Sequence, residues 1–154
     1  MQRTGLKINF LIWVFFAMSL HVHAYDMSRY ARTSLDDFLT QTPPVKNLTL
    51  VAPRKLRVAA YLAGFARTCN TDILQAALTL QGAPRDALDN VSITQCIHAT
   101  SLLGGHTIPM YIQDRVANHL PKEATIGARI TLYVDYLYQG ANGPGLLVNE
   151  FELP

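Results

Sequence analysis

The chain has 154 residues, 49% of them hydrophobic and 16% charged, so it can bury a core without depending on crosslinks. Its formal charge is +2, but two of its 13 basic residues, Arg3 and Lys7, lie in an N-terminal leader, and the remainder balances the 11 acidic residues. A neutral working chain argues against long-range attraction to DNA, RNA or anionic lipid by the molecule as a whole.

The leader is residues 1–24. Arg3 and Lys7 make its start positive, and no acidic residue precedes Asp26. The apolar run from Phe10 to Leu20 is about half the roughly 20 residues that a transmembrane helix needs. Val22-His23-Ala24 then offers a Val-x-Ala site before Tyr25. This is the pattern of a cleavable secretory signal peptide, with an uncleaved anchor as the alternative. No cysteine adjoins the site to carry a lipid. The expected location is the periplasm, or else the extracellular space, with no membrane span after cleavage.

Residues 25–54 read as a lead-in with one short helix. Ser34 can cap it, Asp36 and Asp37 suit its positive end, and Leu35, Phe38 and Leu39 share a face. Thr42-Pro43-Pro44 stops it. Leu48 to Val51 is a short strand candidate ended by Pro53.

Residues 55–154 read as the β domain. From Lys55 the pattern turns to period two: Leu56, Val58, Ala60 and Leu62 point one way, Arg57, Ala59, Tyr61 and Ala63 the other. Thr71 to Leu80 is a helix with a polar cap, ended by Gln81-Gly82-Ala83-Pro84. Val91 to His98 alternates as a strand. Gly104-Gly105 signals a turn, and Thr107 to Ile112 completes a hairpin. Gln113 to Leu120 is a short helix stopped by Pro121. Ala128 to Tyr138 is a strand with Ile130, Leu132 and Val134 on one face and Thr131, Tyr133 and Asp135 on the other. Gly140 to Gly145 is a turn, and Leu146 to Leu153 a last strand.

The fold class is therefore mainly β with two or three short helices. Five strands with a helix between the third and fourth resemble the OB-fold, a small Greek-key barrel. The resemblance covers about residues 56–153. It is topological, and the helix at 72–80 departs from it. An OB-like five-stranded barrel is the expected architecture, with an open α+β sheet as the alternative.

Cys69 and Cys96 are the only cysteines, and in an exported chain they are expected to form a disulfide. No Cys-x-x-Cys is present for redox catalysis.

The search for chemistry excludes more than it finds. His98, His106 and His119 form no zinc spacing, so no metal or cofactor is expected. Gly-x-Ser-x-Gly is absent. Ser101-Leu-Leu-Gly-Gly-His106 reads as a turn before it reads as a catalytic cluster. Glu150 and Glu152 share a strand face, which paired carboxylates for glycoside hydrolysis would need, but the strand is terminal and faces water. Residues 29–67 are locally basic, with Arg29, Arg32, Lys46, Arg54, Lys55, Arg57 and Arg67 against Asp36 and Asp37.

Aromatics offer slightly more. Tyr133 and Tyr111 are the candidate ligand-binding residues, with Arg57 contributing charge. The first and fourth strands of an OB-like barrel are neighbours, so Arg57 and Tyr133 share a surface, where a cation–π contact would be the purely structural outcome. The leading expectation is a small exported binding or accessory module that contacts an envelope protein, peptide or glycan. A small envelope hydrolase using His98 or His106 as base is the second reading, and an inhibitor of a secreted hydrolase the third. The leader reading predicts cleavage after Ala24. The intact mass of exported protein should correspond to a chain starting at Tyr25, and a mature species retaining Met1 would contradict it.

Overall fold

The computed structural model describes residues 26–154, so the leader and its cleavage site lie outside the described residues. One sheet holds six strands: β1 (Ala31–Ser34), β2 (Thr49–Thr68), β3 (Gln95–Thr100), β4 (Thr107–Ile112), β5 (Arg129–Gly140) and β6 (Gly143–Glu152). The helices are α1 (Leu35–Gln41), α2 (Asp72–Leu80), α3 (Arg85–Asn90) and α4 (Asp114–Glu123), preceded by a 3-10 turn at Met27–Arg29. Neighbours run β1-β2-β3-β4-β6-β5, and β5 pairs again with β2. Five strands thus form a ring of pairings, with β1 added outside it. The pairs β1–β2 and β4–β6 are parallel, the others antiparallel.

The period-two pattern of the central strands places the core. Leu56, Val58 and Ala60 of β2 stand opposite Val134, Leu132 and Ile130 of β5, and all six are buried. Ile97, Met110, Ile112, Leu146 and Val148 complete the interior from the other strands. Helix α1 begins as its sequence dictates. The Asp37 N–H donates to the Ser34 hydroxyl at 2.9 Å, and Leu35 and Phe38 are buried in the same core. Phe38 meets Tyr136 edge-on, with ring centres 5.0 Å apart. The disulfide Cys69–Cys96 is formed, with its Cα atoms 5.8 Å apart.

Several elements differ from their sequence reading. Pro53 does not end a strand: β2 runs through it, and the register against β5 shifts between Leu50 and Arg54. A bulge frees Pro53 from supplying a ladder N–H. The Gln81 amide donates to the carbonyls of Val51 and Leu137, both at 2.8 Å, and so supports the irregular stretch from outside. The lead-in also contains β1, whose four residues pair with β2 and are too few to show a period in the sequence. The strand expected at 91–98 starts later, at Gln95. Asp114 holds the preceding backbone instead, accepting from the Ser92 hydroxyl at 2.5 Å and the Thr94 N–H at 3.0 Å. The bond to Thr94 takes a backbone donor that a ladder would otherwise use. Ile93 is buried, but in a second cluster with Leu74, Ala77, Leu137, Tyr138 and Leu147. Helix α3 was also missed, because it buries no residue and so has no apolar period. Pro121 lies inside α4 rather than stopping it. The last turn is held by the Ala124 N–H on the Leu120 carbonyl at 2.9 Å, and Leu120 is fully buried. The turn expected at 140–145 is tighter, because Gly140 already pairs with Gly143 across Ala141 and Asn142.

The register makes a graded prediction. Leu132→Ala should cost about 2–5 kcal/mol, because it opens a cavity inside the ring. Asp135→Ala removes one part-exposed ion pair to Lys55 and should cost under about 1 kcal/mol. Denaturant melts of the two variants check the order, and the reverse order would overturn the strand phase.

Candidate functional site

A groove of about 620 Å³ opens on the outer face of the β3–β4 hairpin. Cys96 and Tyr111 face each other across that hairpin, and both line the groove together with Pro109. One wall is the segment from Cys69 to Ile73, where β2 passes into α2. The other is the β5–β6 turn around Asn142. The apolar floor therefore includes a disulfide and an aromatic ring. The polar groups at its rim come from Lys46, Asn70, Asp72 and Asn142.

Local chemistry fixes these walls. The disulfide joins the end of β2 to the second residue of β3, at the base of the α2–α3 segment. Asn70 accepts from the Asp72 N–H at 2.8 Å through its side-chain oxygen and donates its amide to the Asp72 carboxylate at 3.1 Å, which starts α2. The Tyr111 and Tyr138 hydroxyls share a hydrogen bond of 2.8 Å under the groove. Tyr138 lies over Gly145, its partner on β6, and a Cβ at Gly145 would run into the Tyr138 ring. Burial, then the bond to Tyr111, pushes the Tyr138 phenol well above its ordinary range.

Arg57 and Tyr133 occupy a different face. They are direct partners across β2 and β5, and the guanidinium lies 5.5 Å from the ring centre. Tyr133 points outward as its phase requires, yet it is only 1% exposed. Tyr30 covers it edge-on at 5.4 Å. The Tyr133 hydroxyl donates to the Glu152 carboxylate at 2.8 Å, and Arg57 pairs with the same oxygen at 3.0 Å. Burial first, then Glu152, raises the Tyr133 phenol. The sequence candidates therefore divide: Arg57 and Tyr133 meet, and Tyr111 belongs to the groove. Asn70, Asp72 and Asn142 were not singled out from sequence. Their only signal was polar residues beside a helix start and a glycine turn, which loops carry anyway.

The histidines stand apart. His98, His106 and His119 are exposed, and among the described residues none is bonded to a carboxylate. Ser101 is fully buried and closes the β3–β4 turn, with its N–H on the His106 carbonyl and its hydroxyl accepting from the His106 N–H. Glu150 faces Arg115 at 3.7 Å, so the two terminal carboxylates have separate cationic partners. Among the described residues no helix is long and apolar enough to cross a membrane, and no group of His, Cys, Asp or Glu is placed to hold a metal ion.

No protein-family model matches the chain, and no curated protein matches it at significant similarity.

Tyr30, Tyr133, Tyr136 and Tyr138 are all raised above the ordinary phenol value, with burial the leading cause in each. Unfolded chain ionises these groups near pH 10 while the folded chain keeps them neutral. Their contribution to stability is therefore complete below about pH 10 and lost as pH rises through the folded values. Urea melts from pH 8 to 11.5 should show stability falling only at the alkaline end. Tyr133→Phe should flatten that fall, and an unchanged slope would refute the assignment.

Proposed function

We propose that the protein is a small exported binding module with an OB-like barrel, working in the periplasm, and that its ligand site is the groove over the disulfide. Its ring order matches that architecture when β2 to β6 are taken as the five barrel strands: first beside fourth, with α4 between third and fourth. OB-folds bind oligosaccharides and oligonucleotides on the face of strands two and three, between the loops that follow strands one and four. The observation that carries the reading is the groove's position, because it lies on those two strands and between those two connections. The inserted α2–α3 segment enlarges one of its walls.

A glycan suits the lining better than a nucleic acid. Tyr111 gives a planar apolar face for a sugar ring, and Asn70, Asp72 and Asn142 offer amide and carboxylate groups to hydroxyls. Lys46 is the only cation there, which is too little for a phosphate backbone whose binding rests on many charges. An envelope glycan, or the peptide attached to one, is the proposed ligand. A hydrolase reading lacks a comparable support, since the groove lining contains no histidine.

Soluble peptidoglycan fragments, carrying both glycan and peptide stem, provide the probe. Amide shifts in an NMR titration should concentrate at residues 70–73, 109–111 and 141–144. Tyr111→Ala should weaken binding by about tenfold or more, the loss of one stacking platform. Unchanged affinity in a variant that still melts normally would sink the reading.

A further inference from the structure

A second concavity, about 220 Å³, lies on the face formed by β1, β2 and β5 and shares no residue with the groove. It is lined by Arg32, Thr33, Arg57, Ala59, Arg129 and Thr131. The sheet register builds it. Arg32 stands directly opposite Arg57 across the β1–β2 pair, and Ala59 opposite Thr131 across β2–β5. Arg129 follows on the same edge, opposite Tyr61. A small residue, Ala59, thus leaves a hollow between longer basic side chains.

The charge of this hollow is not balanced from within. Like charges directly opposite on a sheet repel. Of the three arginines, Glu152 pairs with Arg57 alone, at 3.0 Å, and it also accepts from the Tyr133 hydroxyl. Among the described residues neither Arg32 nor Arg129 has a carboxylate within ion-pair distance. Three guanidinium groups against one carboxylate leave two uncompensated positive charges in a single cleft.

We propose that this cleft is an oxyanion site that takes a phosphate group, either as the free ion or as the terminal phosphomonoester of a larger molecule. Guanidinium forks match tetrahedral oxyanions and bind them by paired, charge-assisted hydrogen bonds. The hydroxyl of Thr131 supplies a further donor at the wall. Two surplus charges correspond to a phosphate dianion. At about 30 Å³ for each water, the volume exceeds what one small ion needs and admits the atoms next to an ester oxygen. Glu152 is the resident competitor: it holds Arg57 at 3.0 Å, and an incoming phosphate shares that guanidinium with it.

The test is an NMR titration of the folded mature chain at low, fixed ionic strength, with inorganic phosphate in one arm and glycerol 3-phosphate in the other. Shifts should cluster at residues 32–33, 57–59 and 129–131. Arg32→Gln and Arg129→Gln should each weaken binding by about tenfold, the loss of one charge-assisted contact. Glu152→Gln should tighten it, an effect that general loss of fold cannot imitate. Tighter binding of the ester identifies a phosphorylated larger molecule as the source, and tighter binding of inorganic phosphate identifies the free ion. No saturable shift in either arm overturns the proposal. So do shifts spread evenly over Lys46, Arg85 and Lys122, or affinity unchanged in the Arg32→Gln, Arg129→Gln double variant.

Discussion

The pairing of β2 with β5 is the constraint on which the rest of the structure hangs. It turns a row of strands into a ring, so every ring strand has a neighbour on each side. An open sheet would leave two rows of backbone donors and acceptors to find other partners. Closure requires β2 to be long, because it serves β5 along one edge and both β1 and β3 along the other. A strand of 20 residues cannot follow a closed ring while remaining regular. Its register slips near Pro53 against β5 and twice around Gly64 against β3, and those slips supply the bends.

Closure also decides what each face can do. Inside, alternate residues of β2 and β5 fill the core and leave no room for a ligand. Outside, the available chemistry depends on what covers each strand. Around Tyr133 the cover is complete, for Tyr30, Arg57 and Glu152 together satisfy its ring and its hydroxyl. Lys55 fastens the same corner, reaching Tyr30 and Asp135 at 3.3 Å each. The hairpin β3–β4 has no such cover. Its outer residues Cys96, Pro109 and Tyr111 border a hollow because the neighbouring segments rise around them as walls.

Much of this was legible in the sequence where one face of an element is buried and the other is not. Ile130, Leu132 and Val134 announce the inner face of β5 by period alone, and that phase, with the expected neighbouring of the first and fourth strands, puts Arg57 beside Tyr133. Ser34 and the two aspartates marked the start of α1 for the same local reason that holds in three dimensions. Legibility failed where long-range bonds overrode local pattern. Nothing near Val91 announces that Asp114, more than twenty residues on, will take the Ser92 and Thr94 donors and delay β3. Nothing near Pro53 announces Gln81 as a brace for the bulge. The groove was the least legible feature, since its lining comes from five separate stretches of chain that only the fold brings together.

The position of the disulfide follows from the same geometry. The β2–β3 ladder becomes irregular toward its open end, with Gly64 and Arg67 both displaced in register. The chain then leaves for α2 and α3 and returns only at Gln95. That excursion packs on the ring through a small second cluster, the two bonds of the Gln81 amide and the bonds to Asp114. A segment held by so few contacts is prone to local opening. Cys69 and Cys96 close it at its base, 27 residues apart, which restricts the unfolded chain by about 3–4 kcal/mol in the chain-entropy view. The crosslink also fixes the spacing between the end of β2 and the start of β3. Both cysteines line the groove, so the bond that stabilises the insertion also shapes the surface beside it.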